Sequence, residues 1–180
     1  MPEPAPVTML PEDYHTAIGV ITVNGALMDQ LVDVAIWTIL RQPPERGATI
    51  TKLLVATTRK IKFLKELCEP MFKSEKVRTN FHDVYSKLTS AQANRSKIVH
   101  AKWVVTHPKK EFCIEVEESD ETQAVVEAMP LSRLQRYGSE IFQAYRALEK
   151  FFLEVQLTPD KTGAHVWPPR AQKRPYRRKK

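Results

Sequence analysis

The chain has 180 residues, of which 42% are hydrophobic, and a formal net charge of +7. A chain of this length and composition can bury a hydrophobic core as a single domain. It is therefore not one of the small folds that depend on disulfides for stability. Its two cysteines and five histidines show none of the spacings of metal ligands, so neither a metal ion nor a cofactor is predicted.

The positive charge is concentrated at one end of the chain. Residues 159–180 contain eight Lys or Arg and one Asp, whereas residues 1–158 contain 20 basic and 20 acidic residues. The excess charge therefore belongs to a C-terminal tail. Because residues 158–180 also lack apolar periodicity, we predict that this tail is disordered.

The first long element is a helix. Residues 1–10 are rich in proline and do not resemble a signal peptide, so a flexible N-terminus is predicted before it. Apolar residues then recur at steps of three and four from Pro11 to Leu40, which predicts the helix. Polar residues interrupt it at Asn24, Asp29, Gln30 and Asp33. These interruptions favour a core helix over a membrane span, and we expect a soluble, cytoplasmic protein without a membrane partner.

Two more helices follow. The second is predicted from about Ala48 to Met71, with Pro70 disturbing its last turn. The third is predicted from Ser74 to about Ala101, and Ser74 suits its N-cap. Both carry an apolar stripe at helical spacing.

The pattern then changes to that of β-strands. Trp103–Thr106 and Phe112–Val116 are rich in β-branched and aromatic residues, and the five residues between them suit a turn, so a β-hairpin is predicted. Residues 117–129 are acidic and are interpreted as a surface connection. A fourth helix is predicted from Leu131 to Leu157.

These elements predict an all-α fold. We expect residues 11–157 to form an antiparallel four-helix bundle, with the small β-hairpin inserted between its third and fourth helices. Trp103 is interpreted as part of the hairpin core more readily than as a platform on which a base stacks.

Arg95 stands out on the third helix. It occupies the position of an apolar residue in a row with 4-3-4-3-4-3 spacing, formed by Val77, Phe81, Val84, Leu88, Ala91, Arg95 and Ile98. A guanidinium keeps its charge, so its burial requires a carboxylate or a phosphate as partner. One interpretation is structural: Arg95 pairs with Asp29 or Asp33 of the first helix, and His100 caps the third helix.

The other interpretation comes from a resemblance. The segment from Asn94 to Trp103 resembles the Arg-x4-6-His motif that HEPN-like domains carry on their third long helix. Arg95 and His100 match the motif, and Asn94 and Ser96 flank the arginine. Ser96 stands where the family more often has Asn, Asp or His, and Asn94 is a candidate substitute for that group.

The resemblance implies a function. Active HEPN-like proteins cleave RNA without a metal ion, usually at a site assembled across a homodimer, in toxin–antitoxin or phage-defence settings. An imidazole changes its charge near neutral pH and can transfer protons, so His100 suits acid–base catalysis. Arg95 suits stabilisation of the charge that develops on the phosphate.

Helical geometry adds a requirement to this hypothesis. Five residues along an ideal helix separate Arg95 and His100 by about 140°, so a second subunit is needed to complete the site. The alternative is a non-catalytic HEPN-like dimer that binds nucleic acid or a protein partner, such as a cognate antitoxin.

The tail offers a second candidate for RNA contact. Its cationic residues are predicted to bind nucleic-acid phosphates by releasing counterions. They are Lys173, Arg174, Arg177, Arg178, Lys179 and Lys180. The alternative is a solvated terminus that only keeps the protein soluble.

Overall fold

A computed structural model describes residues 5–6, 10–106, 111–117 and 124–157. These residues form a mostly helical fold with a small antiparallel sheet. The helices are α1 (Glu12–Ile39), α2 (Pro44–Lys52), α3 (Thr57–Cys68), α4 (Glu75–Val99) and α5 (Leu131–Leu157). The strands are β1 (Ala5–Pro6), β2 (Lys102–Thr106), β3 (Glu111–Glu117) and β4 (Ala124–Ala128), and a short 3-10 turn spans Glu69–Met71.

The core lies between the three long helices α1, α4 and α5. Apolar side chains at three- and four-residue steps meet there, and each contributes about 1.5–3 kcal/mol by leaving water. The predicted helices one, three and four are confirmed, with ends within two residues of those of α1, α4 and α5. Fully buried side chains include Ile21, Met28, Phe81, Leu88, Ile141 and Leu148.

Helices α1 and α5 run in the same direction. The Tyr14 hydroxyl donates a hydrogen bond to the Met129 carbonyl over 3.3 Å. Ten residues later on α1, the Asn24 side-chain amide donates to the Gly138 carbonyl over 3.1 Å. The two helices are therefore parallel. The predicted antiparallel arrangement is wrong for this pair.

Helix α4 runs opposite to α5. Near the end of α4, the amide of Asn94 contacts Glu140 in the first half of α5. Near the start of α4, the ring of Phe81 lies 5.3 Å from that of Phe151 in the second half of α5. The sheet links the adjacent ends of these two helices.

The predicted second helix is wrong in form. Two short helices, α2 and α3, occupy its place, and the chain turns between them. Val55 in this turn has a φ of 44°, which an α-helix does not accommodate. Leu53, which the apolar stripe placed in the core, is 77% exposed. The stripe continued across the turn because residues on both sides of it are apolar.

The sheet has one more long strand than predicted. The hairpin of β2 and β3 is confirmed, with Val104 opposite Cys113. Strand β4 pairs antiparallel with β3 and places Glu127 opposite Ile114, so the interpretation of residues 117–129 as a surface connection is wrong. The run Ala124–Ala128 contains two adjacent valines, a strand pattern that the acidic residues around it concealed.

Both ends of the chain are only partly described. Ala5–Pro6 pair with Val104 and Val105 at the edge of the sheet, within the segment predicted to be flexible. The tail and its six candidate RNA-binding residues lie outside the described residues: Lys173, Arg174, Arg177, Arg178, Lys179 and Lys180.

Helix α1 is apolar enough to span a membrane by length and composition alone. Its most apolar 18-residue window has a mean hydropathy of 1.3, and 28% of that window is buried. The core helix of a soluble protein passes the same test. Its polar side chains bind other helices of the bundle: Asn24 contacts α5, and Asp29 and Asp33 contact α3.

We expect Val55→Gly to stabilise the protein. A β-branched residue at positive φ is strained by about 1–2 kcal/mol, whereas glycine adopts this conformation without strain. Val55 is 83% exposed, so little packing is lost. Thermal unfolding should show a higher Tm for Val55→Gly and a lower one for the control Leu53→Gly, which lies at a φ of −69°. Equal losses in both variants would contradict a strained turn.

Candidate functional site

Arg95 lies where α4 packs against α1, and it is half-buried. Opposite it is Gly25, a buried residue of α1. A Cβ added at Gly25 would lie 2.3 Å from Cδ and 2.4 Å from Nε of Arg95. The stem of the arginine therefore rests directly on the backbone of α1, in space that only glycine leaves open.

Arg95 has no counter-charge among the residues that the structure describes. Its Nε is buried and has no hydrogen-bond partner there, and no carboxylate of the described ranges forms an ion pair with its guanidinium. The side-chain oxygen of Gln92, one turn earlier on α4, is also buried without a partner. A buried donor without a partner costs about 1–3 kcal/mol, more when it is charged.

The two candidate carboxylates are bound to a different cation. The ammonium of Lys60, on α3, lies 3.0 Å from Oδ2 of Asp29. It lies 2.9 Å from Oδ1 and 3.0 Å from Oδ2 of Asp33. The hypothesis that Arg95 pairs with Asp29 or Asp33 is therefore wrong, because Lys60 occupies both acidic partners.

Lys60 was missed in the sequence although it carried a signal. It is only 8% exposed, and it directly precedes Ile61 on the apolar stripe of α3. A lysine beside a stripe usually extends its ammonium to water. Here two carboxylates one turn apart on α1 bind the ammonium inside the bundle.

Burial and pairing shift the acid–base equilibria of this cluster. Burial by itself would lower the pKa of Lys60, but hydrogen bonds to Asp33 and Asp29 outweigh it, and the pKa lies above 10.5. Burial raises the pKa of Asp33 above 3.8 despite its hydrogen bond with Lys60. Two carboxylates and one ammonium leave the cluster with one excess negative charge.

The other candidate catalytic residues do not converge on Arg95 within one chain. The Asn94 amide donates to Oε2 of Glu140 over 2.9 Å, so Asn94 faces α5. Ser96 and His100 are exposed. His100 is the C-cap residue of α4, and its backbone N–H donates to the Ser96 carbonyl over 3.2 Å.

The end of α4 is fixed by a charged bridge to the sheet. Glu127 of β4 pairs with Lys97 of α4 and, over 2.5 Å, with Arg133 of α5. This bridge holds the last turn of α4, and with it His100, against β4. Sequence reasoning missed Glu127 because it assigned this segment to a connection.

Trp103 follows this end of α4 in strand β2. It is half-buried and packs against the core, and its ring meets Tyr14 edge to face at 6.1 Å between centroids. This location suits the interpretation of Trp103 as part of the hairpin core.

The described ranges contain no group of three or more His, Cys, Asp or Glu side chains that could hold a metal ion. Cys68 and Cys113 are both buried and do not form a disulfide. Arg95 is the principal candidate for binding an anion on these helices because its Nε has no partner among the described residues.

Comparisons of the chain with models of known protein families, with curated protein sequences and with solved structures gave no match. The resemblance to HEPN-like domains therefore depends on the segment from Asn94 to Trp103 and on the position of that segment at the end of a long helix.

We expect Gly25→Ala to be destabilising through Arg95. Gly19 is the matched control: it lies on the same helix, and a Cβ there meets nothing within 4 Å. Gly19→Ala should stabilise by about 1 kcal/mol through helix propensity, and Gly25→Ala should fall about 2 kcal/mol below it through overpacking. Urea unfolding measures both. In an Arg95→Ala background the two substitutions should have equal effects; a persisting difference would contradict the contact.

We expect Lys60→Met to lower the free energy of unfolding by about 3 kcal/mol at pH 7, because two half-buried carboxylates lose their partner. Lys62→Met, at an exposed site on α3, is the control and should change it by less than about 0.5 kcal/mol.

The loss should also depend on pH. Because the pKa of Asp33 is raised in the folded state, the folded protein binds more protons than the unfolded chain just above pH 3.8, and protonation there favours folding. In Lys60→Met the pKa of Asp33 should rise further, so protonation favours folding more strongly than in the wild type. The loss of unfolding free energy caused by the substitution should therefore become smaller as the pH falls toward 3.8. A loss that increases on acidification would contradict the role of Lys60.

Proposed function

We propose that this protein is a HEPN-like, metal-independent endoribonuclease in which Arg95 binds the scissile phosphate and His100 transfers protons. One observation carries the proposal: Arg95 lacks a counter-charge among the described residues, while Asp29 and Asp33, the two carboxylates considered as its partners, are bound by Lys60.

The unpaired charge of Arg95 favours an external anion. The buried Nε–H without a partner among the described residues costs about 1–3 kcal/mol, and the fold retains it. A phosphate would accept charge-assisted hydrogen bonds from the two terminal nitrogens of Arg95, which are not among the buried unpaired atoms of the described residues. Gly25 supports this role because it leaves the space in which the arginine stem crosses α1.

The proposed reaction is attack of an RNA 2′-hydroxyl on the adjacent phosphate. His100, exposed at the end of α4, would remove the proton of that hydroxyl. Arg95 would stabilise the negative charge on the phosphorane. The bond between phosphorus and the 5′-oxygen breaks, the 5′-oxygen takes a proton from the imidazolium formed at His100 and leaves as a hydroxyl, and a 2′,3′-cyclic phosphate remains.

A homodimer is part of this proposal. Arg95 is half-buried against α1 whereas Ser96 and His100 are exposed, so each chain would supply one half of a composite site. Asn94, bound to Glu140, would act by positioning. The six basic residues of the tail would bring RNA to the site, and the cytoplasmic, toxin–antitoxin or phage-defence setting belongs to the same proposal.

The exposed position of His100 also favours a second candidate. An exposed histidine beyond the last turn of α4, with the arginine of its own chain half-buried, suits a non-catalytic module that binds nucleic acid or a protein partner through Arg95 alone. The two candidates differ in chemistry, and one assay separates them.

Purified protein is expected to cleave single-stranded RNA in EDTA. Arg95→Ala should lower kcat about a thousandfold by removing an electrostatic stabiliser, and His100→Ala about a hundredfold or more by removing proton transfer. Lys87→Ala is the control, since Lys87 is an exposed cation of α4 that pairs with Asp83, and it should cleave like the wild type.

Three results bear on the choice. RNA binding that depends on Arg95 without any cleavage would support the non-catalytic module. A wild type that neither binds nor cleaves RNA, together with an Arg95→Ala variant that unfolds, would contradict both candidates. A strict monomer in sedimentation would rule out the composite site.

A further inference from the structure

A groove with apolar walls runs between the first halves of α1 and α5. It has a volume of about 850 Å³. Val20 of α1 and Phe142 of α5 line it, and each is 46% exposed although apolar. At its lower end, toward the start of α1, the lining changes to the acidic side chains of Glu12 and Asp13. Exposed apolar surface of this kind commonly marks a binding site.

The chain itself contains a segment with matching chemistry. Beyond Leu157, the last described residue, come Trp167 and then the basic run Lys173–Lys180. We propose that this C-terminal segment occupies the groove of its own chain, with Trp167 against Val20 and Phe142 and the basic run beside Glu12 and Asp13. The inference goes beyond the proposed function and does not depend on it; the basic run would leave Glu12 and Asp13 when it binds RNA.

The distances allow this path. Phe142 lies 15 residues before Leu157 on α5, which is about 23 Å along a helix. Trp167 lies ten residues beyond Leu157, and ten extended residues span up to about 33 Å. A chain that turns back at the end of α5 can therefore bring Trp167 to Phe142.

The order of the features also agrees. Moving down the groove from Phe142, the apolar wall comes first and the acidic end second. Moving along the tail from Leu157, Trp167 comes first and the basic run second. Lys173 comes six residues after Trp167, and six residues in an extended chain span up to about 20 Å. The two parts of the groove are about seven helical residues apart, which is about 11 Å, so the tail is long enough to reach both.

Because the tail is tethered to α5, a modest contact with the groove is sufficient for docking. A short linker holds its segment at an effective concentration that is roughly millimolar. One aromatic side chain in an apolar groove, supported by opposite charges that salt screens, is then enough for occupancy.

The test is limited trypsin digestion of the full chain, with mass spectrometry of cleavage after Arg170. The free peptide 159–180, made with the wild-type or the Trp167→Ser sequence, gives the cleavage rate of a tail that cannot dock. The wild type should be cleaved about tenfold more slowly than the peptide, because cleavage follows the fraction of time that the segment is undocked. Phe142→Glu and Trp167→Ser should abolish this protection.

Leu153→Glu is the matched control, because Leu153 lies on α5 outside the groove with the same 46% exposure as Phe142; it should keep the protection. If Phe142→Glu lowers the Tm, Trp167→Ser still decides the matter, since it lies beyond the helices.

Equal rates for wild type and peptide would overturn the proposal. So would protection that both variants retain. Protection that rises with protein concentration would also overturn it, and would assign the groove to a second copy of the chain.

Discussion

The packing of α4 on α1 depends on one contact, in which the permanently charged Arg95 of α4 lies across Gly25 of α1, a residue without a side chain. Arg95 lies in a row of apolar residues on α4, and its stem fills the space that a Cβ at Gly25 would need. Any other residue at position 25 would move the arginine or separate the helices. The guanidinium is thus held between two core helices by sterics, without a carboxylate of the described residues to hold it by charge.

The neighbouring cluster does not form an ion pair with that charge. Lys60 binds Asp29 and Asp33, and neither carboxylate is paired with Arg95 in the described residues. The difference between the two cations is chemical. A lysine delivers a point charge on a flexible stem and suits two converging carboxylates, whereas a guanidinium presents a planar fork that suits phosphate oxygens. This contrast is the basis for proposing RNA as the ligand of Arg95.

Much of the fold could be predicted, because strong apolar periodicity identifies long helices: α1, α4 and α5 were found with nearly correct ends. The turn at Val55 could not be predicted, because apolar residues on both sides of it continue the helical pattern. Strand β4 was hidden among acidic residues. At the site, the position of Arg95 in the core-facing row followed from spacing, but its lack of a carboxylate depended on Lys60, which reaches α1 from a distant part of the sequence.

The most direct test of the uncompensated charge is the Nε–H resonance of Arg95 in an NMR spectrum of the full chain, assigned by its loss in Arg95→Lys. The protein is titrated with a single-stranded oligonucleotide whose 2′-hydroxyls are replaced by hydrogen, so that it binds without being cleaved. Our account predicts that the resonance shifts and saturates, that Asp29→Asn leaves it unchanged in the free protein, and that the resonance of Arg78, an arginine of α4 already paired with Glu75, does not respond. An Arg95 resonance that ignores the oligonucleotide but shifts in Asp29→Asn would contradict the account.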